Sequence, residues 1–367
     1  MSTEPLGSVC WMAKTEKQKA EDVLVTEFLS DFYSKFSEFD GASILVTGGT
    51  GSFGRSFIRH ILENHKPKRL IVFSRDELKQ FEMERQFSHQ DHSCIRYFLG
   101  DVRDAARLEM AMEGVDYVVH AAALKHVALT EYNPFECVLT NIIGAQNIVT
   151  AARRSGVKKV VALSTDKAAS PINLYGATKL ASDKIFIAAN NLTSATGCKF
   201  SVVRYGNVLN SRGSVIPFFK ELISKGADFL PITDDRMTRF VVTLDQGVAL
   251  ICKAFTFMKG GEILVPKIPS LTIMDLAEAM APNIPTNVVG IRPGEKIHEV
   301  LIPREDARNS VDIGNCYVVT PNFPHSDYKL PTGMQGKLLP DGFEYDSFTN
   351  GWRLSVSEIR QLLSGLS

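Results

Sequence analysis

Four residues near the middle of the chain have side chains that can move protons. Asp166 and Lys167 stand side by side after the apolar run "VVALST", and Tyr175 and Lys179 follow. A spacing of four residues places Tyr175 and Lys179 on one face of a helix, and a cation near a phenol lowers its pKa. Tyr175 is therefore predicted to act as a general base near neutral pH. Asp166 and Lys167 add a carboxyl group and an amine for acid–base chemistry, unless they form an ordinary ion pair.

The segments around these residues alternate between apolar runs and predicted helices from residue 43 to about 208. Strands are predicted at "SILVTGG", "RLIVFS", "IRYFLGDV", "VDYVVHAAA", "KKVVALST" and "KFSVVRYGNV". Each run is continuously apolar, which is typical of parallel strands that helices cover on both faces. The sequence therefore predicts an α/β fold, a doubly wound parallel sheet of the Rossmann type with a smaller α/β substrate-binding lobe.

The first strand leads into a glycine-rich turn, Gly48-x-x-Gly51-x-x-Gly54, which precedes a predicted helix. Glycine allows the tight turn and the close approach of a pyrophosphate, and the helix N-terminus offers free N–H groups to the phosphates. Because this triplet lies at the first βα turn of a long alternating series, we predict a dinucleotide site here and not a merely structural turn.

The end of the second strand, "VFSRDE", bears on which dinucleotide binds. An acidic residue at this point typically binds the ribose hydroxyls of NAD, whereas an Arg favours the extra phosphate of NADP. Ser74 and Arg75 hold the position, with Asp76 next and Lys79 one turn later, so NADP is predicted. NAD is the alternative, with Arg75 as a solvated charge and Asp76 as the ribose ligand.

The third and fourth strands end in further candidate ligands, because ligands of open α/β sheets bind beside the carboxyl ends of the strands. Asp101 is placed to bind the adenine amine, and the small side chains after His120 allow the cofactor to approach closely. His120 and His126 are interpreted as packing or surface residues. The full predicted cofactor set is Gly48, Thr50, Gly51, Ser52, Phe53, Gly54, Ser74, Arg75, Asp76, Lys79, Asp101, Val102, Ala121, Ala122, Ala123, Lys125, Asn141, Tyr175, Lys179 and Asn207.

Four longer motifs follow in one order before about residue 305: "STDKAASPINLYGATKLASDK", "RYGNVLNSRGSVIPFF", "ITDDRMTRF" and "GIRPGEKIHEVLIP". With the glycine turn, they resemble the extended short-chain dehydrogenase/reductases that act on nucleotide sugars. Within that family they look like the inverting UDP-N-acetylglucosamine 4,6-dehydratases, which open the pseudaminic acid pathway in bacteria. Asp166-Lys167 carries the distinction, because retaining dehydratases have Asp-Glu at this point. Asn210 departs from the small residue usual in the family, and Asn tolerates positive φ.

The resemblance implies an NADP-dependent dehydration of UDP-N-acetylglucosamine. Tyr175 takes the proton of the sugar 4-hydroxyl while hydride leaves C4 for NADP, and Lys179 also holds ribose hydroxyls. Desolvation lowers the pKa of Lys167, which removes the C5 proton, and Asp166 donates a proton to the departing 6-hydroxyl. Hydride returns to C6 and C5 is reprotonated from the opposite face, which inverts it. The division of proton steps between Asp166 and Lys167 is open.

The resemblance also implies a substrate set. Guanidinium groups bind a diphosphate bidentately, so Arg212, Arg239 and Arg292 are its expected ligands. Three alternative functions stay open: a UDP-hexose 4-epimerase, a C5-retaining dehydratase, and a non-catalytic NADP-sensing protein on the same fold. The full predicted substrate set is Lys125, Thr165, Asn207, Val208, Arg212, Val215, Arg239 and Arg292.

The pattern divides the chain into four parts. Residues 1–40 are predicted to be an extension that either ends in an amphipathic helix containing Phe28, Phe32 and Phe36 or is a loosely docked tail. The NADP-binding domain is predicted over 41–207, with a strand and a helix returning at about 241–265. The remaining predicted parts are a substrate-binding lobe at 208–240 and 266–345, and a C-terminal helix at 346–367.

Local predictions in the second half of the chain concern two helix starts and one segment that combines a strand and a helix. Thr272 is predicted as an N-cap, and Ser355 forms a predicted capping box with Glu358. The segment "TNVVGIRPGEKIHEVLI" is predicted to be a strand followed by a helix.

The overall composition argues against several classes of function. Lys plus Arg (41) equal Asp plus Glu (41), so no basic surface for nucleic acid or an anionic membrane is expected. The six Cys residues lack the spacing of a zinc site or a disulfide framework, so no metal is predicted and a reducing cytoplasm is favoured. No window approaches the roughly 18 apolar residues of a membrane helix. The resemblance implies a homo-oligomer, from dimer to hexamer.

Overall fold

The structure, a computed structural model, describes residues 36–192, 197–322, 328–331 and 335–365. The helix predicted within residues 1–40 lies outside the described residues except at its end, where Phe36 is buried. The Phe36 ring lies 4.6 Å from that of Phe39, 5.5 Å from that of Tyr117 and 5.6 Å from that of Phe255, measured between centroids. This aromatic cluster attaches the start of the described chain to the main body.

A sheet of ten strands organises the described part of the chain. Its first six strands are all parallel and lie in the order β3-β2-β1-β4-β5-β6 once they are numbered along the chain. They are β1 (Ser43–Thr47), β2 (Arg69–Ser74), β3 (Ile95–Leu99), β4 (Tyr117–His120), β5 (Lys159–Thr165) and β6 (Lys199–Tyr205). Ile263–Pro266 adds a further parallel strand beside β6, and three antiparallel strands complete that edge: Cys316–Val319, Ser310–Asp312 and Lys337–Leu338.

The order of these strands confirms the predicted doubly wound sheet. Every residue of β1 and β4 is buried, and so is nearly all of β2 and β6, as their continuous apolar sequences predict. The strand order reverses between β1 and β4, and ligands of such sheets bind beside the carboxyl ends at the reversal. The sheet alone therefore indicates where a site should lie.

Two groups of helices pack around the sheet. Ser52–Asn64 packs against Leu244–Phe257, while Gly144–Arg154 packs against Ala105–Met112 and Leu174–Ala189. A π-helical turn at 139–143 precedes the helix Gly144–Arg154. The other described helices are Glu77–Glu84, Val127–Tyr132, Pro134–Val138, Val215–Ser224, Ile273–Met280, Arg304–Ala307 and Val356–Ser364, with 3₁₀ turns at Ser37–Phe39, Asp166–Ala168 and Asn190–Leu192.

Smaller sheets form a second layer beside the carboxyl ends of β5 and β6. A three-stranded sheet contains Asn207–Val208, Thr238–Val242 and Ser270–Thr272. The helices of this region enclose two small apolar cores, one around Leu276 and one around Phe219. Two strand pairs complete the layer: Leu230–Ile232 with Thr286–Val288, and Val300–Ile302 with Tyr345–Asp346.

Local predictions in this region have mixed outcomes. Thr272 caps its helix, Ser355 forms a capping box with Glu358, and Asn210 has φ +56°, as expected. The helix predicted after the strand Thr286–Val288 is wrong, because 289–299 is a loop that leads into another strand. Its glycines, at 290 and 294, have φ of +95° and +81°, and a proline lies between them, so the segment cannot hold a regular helix.

Candidate active site

The glycine turn between β1 and the helix Ser52–Asn64 brings backbone segments very close together. Gly48 has φ +65°, and a Cβ at this position would lie 2.8 Å from the backbone N of Ala122. A Cβ on Gly54 would lie 2.5 Å from the backbone of the same turn. Gly51 is the helix N-cap, and no side chain in the described chain caps it, so the first N–H groups stay open. The turn therefore fits a pyrophosphate, which needs close backbone approach and free donors.

A cleft of about 650 Å³ runs along the carboxyl ends of the strands, from the glycine turn to the end of β6. Its volume lies in the range of small-molecule and cofactor sites. The predicted residues that line it are Gly48, Thr50, Gly51, Ser52, Phe53, Gly54, Ser74, Arg75, Lys79, Asp101, Val102, Ala121, Ala122, Ala123, Lys125, Thr165, Lys167, Tyr175, Lys179, Asn207, Val208 and Arg212. The predicted residues outside its lining are Asp76, Asn141, Asp166, Val215, Arg239 and Arg292.

The end of β2 places different side chains at the cleft and at the following helix. The Arg75 side chain lines the cleft, is half exposed and lies 3.7 Å from the Asp101 carboxylate. Asp76 instead caps the helix, because its carboxylate accepts a hydrogen bond from the Lys79 N–H at 3.0 Å and pairs with the Lys79 ammonium. These hydrogen bonds lower the pKa of Asp76. The Asp76 carboxylate is thus already engaged, whereas Arg75 faces the cleft.

The loop after β4 is held by a buried amide. Asn141 Oδ1 accepts a hydrogen bond from Leu124 N at 2.9 Å, and Asn141 Nδ2 donates to Leu124 O at 3.0 Å. Asn141 was predicted to bind the cofactor, but its side chain is buried and fixes the conformation of this loop through the two hydrogen bonds to Leu124. The next residue, Lys125, donates to the main-chain oxygen of Arg212 at 3.1 Å and so joins the two sides of the cleft.

The start of the helix Leu174–Ala189 lies directly against the segment that carries Lys167. A Cβ on Gly176 would lie 2.1 Å from the Lys167 carbonyl oxygen, so only glycine allows this approach. Asn173 caps the helix by accepting from Gly176 N at 2.7 Å, and it donates to the Gly294 carbonyl at 2.7 Å. These contacts hold Tyr175 next to Lys167 at the cleft.

Two lysines of the cleft lining, Lys167 and Lys179, lie in the same region as Tyr175. Lys179 donates its ammonium hydrogen to Leu163 O at 2.7 Å, and burial lowers the pKa of Lys179. Burial raises the pKa of Tyr175 to about 12, against the opposing effects of the Lys167 ammonium and a hydrogen bond with Thr165. In the chain by itself, Lys167 is the cation that opposes the effect of burial on the pKa of Tyr175, while the predicted joint effect of Lys179 and an oxidised nicotinamide stays a prediction.

Lys167 lies between two carboxylates. Its Nζ is 3.0 Å from Asp166 Oδ1 and 3.2 Å from Glu299 Oε1, and it donates to Asn207 Oδ1 at 3.3 Å. Burial by itself lowers the pKa of Lys167, but the charges of Asp166 and Glu299 outweigh burial and raise it. The prediction that desolvation lowers the pKa of Lys167 is wrong for the chain by itself. It did not include the Glu299 carboxylate, which lies beside the Lys167 ammonium only in the folded chain.

The two members of the Asp166-Lys167 pair have different access to the cleft. The Asp166 side chain is 0% exposed, whereas that of Lys167 is 22% exposed and lines the cleft. Asp166 Oδ1 accepts a hydrogen bond from Thr165 Oγ1 at 2.9 Å, and Asp166 Oδ2 has no hydrogen-bond partner among the described residues. Lys167 is therefore the member of the pair that is open to the cleft, and the Asp166 carboxylate lies behind it.

The predicted diphosphate ligands lie in three different places. Arg212 lines the cleft. Arg239 is largely buried and donates to the main-chain carbonyls of 296–297 at 2.9 and 3.0 Å, so its guanidinium holds a loop. Arg292 is 65% exposed and lies off the cleft, and Val215 packs against the small apolar cores. Of the three predicted arginines, Arg212 is the one positioned for a ligand in this cleft.

The cleft contains residues that the sequence analysis missed. Gly206 is next in sequence to the predicted Asn207, and His126 is next to the predicted Lys125. This adjacency could have indicated that both residues line the cleft. Glu299 belongs to the motif "GEKIHEVLIP", but nothing local indicates that it meets Lys167. The missed lining residues are Arg55, Phe73, Gly100, Leu124, His126, Thr140, Leu163, Ser164, Tyr205, Gly206, Ser211, Gly213, Ser214 and Leu244.

Three further features concern the described part of the chain. No group of three or more His, Cys, Asp or Glu side chains there could hold a metal ion. None of its helices combines the length and the apolar character that a bilayer crossing demands. Its five cysteines, at 94, 137, 198, 252 and 316, are free thiols.

Comparisons with known proteins agree on a nucleotide-sugar enzyme. Residues 44–321 match the family model described as "Polysaccharide biosynthesis protein". The chain is 52% identical to a UDP-N-acetylglucosamine 4,6-dehydratase (inverting) from Campylobacter jejuni subsp. jejuni serotype O:23/36 (strain 81-176), covering 89% of this chain and 98% of the relative. It is 38% identical to a UDP-glucose 4-epimerase from Rickettsia canadensis (strain McKiel), covering 90% and 97%. The X-ray structure of Pen from Bacillus thuringiensis has a TM-score of 0.80 and 38% identity, covering 89% and 98%.

Proposed function

Because the chain belongs to the polysaccharide biosynthesis protein family, among the inverting UDP-N-acetylglucosamine 4,6-dehydratases, we propose the following account of its reaction. The protein is a hydro-lyase that converts UDP-GlcNAc to UDP-2-acetamido-2,6-dideoxy-β-L-arabino-hex-4-ulose. The sugar is oxidised at C4, loses its 6-hydroxyl as water, inverts at C5 and is reduced at C6. The observation that carries this proposal is the meeting of Tyr175 and the Asp166-Lys167 pair at the cleft that begins with the glycine turn.

The cofactor of this reaction is a nicotinamide dinucleotide, and the glycine turn fits one. When bound, the nicotinamide accepts hydride from C4 of the sugar and returns it to C6. We propose NADP over NAD, because Arg75 lines the cleft while the Asp76 carboxylate is engaged by Lys79. Lys79 also lines the cleft, and its ammonium pairs with the Asp76 carboxylate.

Each proton step has a residue of this chain to perform it. Tyr175 takes the proton of the 4-hydroxyl, and because its pKa is raised to about 12, it depends on nearby positive charge, which Lys167 supplies. Lys167 reaches the sugar and moves the proton at C5. Asp166 exchanges a proton with Lys167 from behind, since its carboxylate is fully buried. Lys167 passes the proton that it removes from C5 to the departing 6-hydroxyl, which leaves as water, so this assignment replaces direct donation from Asp166.

The decisive experiment is incubation of the protein with UDP-GlcNAc and NADP in deuterated water, followed by proton NMR. A new C6 methyl signal with deuterium at C5 and L-arabino couplings is the expected result. A methyl signal with retained C5 configuration would make this a retaining dehydratase. An unchanged 6-CH₂OH group with altered C4 couplings would indicate a 4-epimerase, as in the relative from Rickettsia canadensis. No turnover with NADP still bound would indicate a non-catalytic sensor.

We also propose that the enzyme works as a homo-oligomer. The segment 127–143 exposes a run of large apolar side chains, Leu129, Tyr132, Phe135 and Ile143, which a second copy of the chain would cover. Light scattering is expected to give a mass at least twice that of the 40.6 kDa chain. A monomeric mass would refute this proposal. The free thiols of the described chain support a reducing, cytoplasmic location.

A further inference from the structure

A buried carboxylate that the account above does not use lies beside Lys167. The Glu299 side chain is 2% exposed, and its Oε1 is 3.2 Å from Lys167 Nζ. Two more cations flank it, since Arg239 Nε lies 4.0 Å from Oε1 and Lys296 Nζ lies 3.8 Å from Oε2. Asp166 is the other carboxylate in contact with Lys167. Lys125 and Tyr175 are further titratable groups whose pKa values respond to the charge of Lys167.

The backbone holds Glu299 firmly in this position. Glu299 N donates to Ser347 Oγ at 2.9 Å, and its carbonyl accepts a hydrogen bond from Ser347 N at 2.8 Å. The strand that follows, Val300–Ile302, packs against the turn Asp166–Ala168. Glu299 is the last residue of the loop 289–299, and its contacts to Ser347 and the strand that follows fix its position beside Lys167.

The two flanking cations are fixed by other contacts. Lys296 Nζ donates to the Ala169 carbonyl at 2.7 Å, and the Arg239 guanidinium donates to main-chain carbonyls. A carboxylate taken out of water is costly unless it is paired, and these fixed cations pair with Glu299 independently of Lys167. Lys167 is the member of this charged cluster that lines the cleft. Glu299, which other contacts fix in place, therefore contacts the amine that is open to the cleft.

We propose that Glu299 is a positioning residue for the dehydration: its carboxylate holds the Lys167 amine at the cleft and sets the pH range in which that amine exchanges protons with the sugar. This inference rests on the proposed function. Glu299 does not line the cleft, so it acts through Lys167 and not by contact with the substrate.

The test is the pH dependence of turnover in Glu299→Gln, which keeps the shape of the side chain and removes its charge. We expect kcat to fall about tenfold or more with KM within about twofold, because the substrate contacts remain. Removing one of two carboxylates lowers the pKa of Lys167, so the limb of the pH profile that this amine causes moves to lower pH by about one unit. The direction is the same whether Lys167 acts as acid or as base.

The matched control is Glu262→Gln. Glu262 is equally buried and accepts hydrogen bonds from Ser201 and from Gly260 N, but it precedes the strand Ile263–Pro266 at the opposite end of the sheet from the cleft. Its substitution is expected to leave kcat and the pH profile unchanged. If Glu299→Gln fails to fold, Glu299→Asp keeps the charge one methylene further from Lys167 and is expected to lower kcat less, with the same direction of pH shift.

Three outcomes separate this inference from the function on which it rests. Wild-type protein that forms no methyl product refutes the proposed function itself. Active wild-type protein with a Glu299→Gln variant of unchanged kcat and pH profile overturns the role of Glu299. A loss of kcat in which Glu299→Gln and Glu299→Asp show the wild-type pH profile also overturns it, since a merely structural defect leaves the titration of Lys167 unmoved.

Discussion

The two halves of the cleft are built in different ways. The nucleotide half is a single backbone turn, in which glycines such as Gly48 allow close approach and the helix offers open N–H groups. The sugar half contains Lys167, and the charged side chains that surround Lys167 behind the cleft lining come from three distant segments, around 166–167, 239 and 296–299. One half depends on local conformation, and the other depends on charges that meet only in the folded chain.

This difference shows how the two tasks divide. Binding a pyrophosphate requires donors and space, which one βα turn supplies on its own. Moving protons requires pKa values that burial and neighbouring charges determine, so the groups that set them can come from anywhere in the chain. Substitutions in one half should therefore leave the task of the other half intact, and the following experiments test that separation.

The largest effect is expected from Tyr175→Phe in the sugar half. The variant loses the hydroxyl that takes the 4-OH proton, so kcat should fall by about a thousandfold while the Kd for NADP changes little. Product NMR and calorimetric titration of NADP measure the two quantities. Tyr97→Phe is the control, because the Tyr97 hydroxyl donates to the Phe87 carbonyl and lies outside the cleft lining. Loss of NADP binding in Tyr175→Phe would show that the halves are not separable.

A smaller effect is expected from Gly48→Ala in the nucleotide half. The new Cβ would meet the backbone of Ala122 at 2.8 Å and widen the turn, so the Kd for NADP should rise by about a hundredfold. Gly156→Ala is a matched control, because φ is +72° there and the strain of about 1 kcal/mol is shared, but a Cβ meets nothing within 4 Å. Equal weakening of NADP binding in both variants would assign the effect to backbone strain alone.

The choice between the two dinucleotides should respond to Arg75→Ala. Loss of the guanidinium removes a charge-assisted contact to a 2′-phosphate, so the Kd for NADP should rise about tenfold while that for NAD stays the same. Calorimetric titrations with both cofactors measure this ratio, and the exposed Arg85→Ala serves as a control. An equal loss for NAD and NADP would contradict the proposed preference.

The smallest effect concerns His120, a buried residue outside the cleft lining. His120 ends β4, is fully buried and contacts Thr47 Oγ1 at 2.8 Å, and burial, with a smaller effect of Lys179, lowers its pKa from 6.5 to about 3. In the unfolded chain His120 therefore binds a proton as the pH falls below about 6.5, whereas in the folded chain it stays neutral until much lower pH. The free energy of unfolding should fall by about 1 kcal/mol per pH unit as pH drops from 6.5 towards 3.

Urea denaturation at pH 7, 6 and 5 measures this slope. His120→Gln should flatten the dependence relative to the wild type, whereas the exposed His89→Gln should not change it. A slope that is the same in the wild type and in His120→Gln would assign the pH dependence to other groups.

Predictability from the sequence follows the same division. The parallel strands, the glycine turn, the caps at Thr272 and Ser355, and the positive φ of Asn210 all follow from patterns within a few residues. The helix predicted within 289–299 failed because Gly and Pro outweighed its apolar spacing. Asn141 was predicted to bind the cofactor, and the sequence did not reveal its burial under Leu124. That burial depends on tertiary packing, which no local pattern reports.

The amino-acid sequence by itself determined the doubly wound sheet, the dinucleotide turn and the identity of the Tyr175 and Asp166-Lys167 groups, because periodicity and short motifs act over neighbouring residues. Only the tertiary structure decided which charges surround those groups. It turned Lys179 toward the Leu163 carbonyl and brought Glu299 to Lys167 across more than a hundred residues. The physical reason is that the pKa of a buried group depends on burial and on distances of a few ångströms, which folding alone creates.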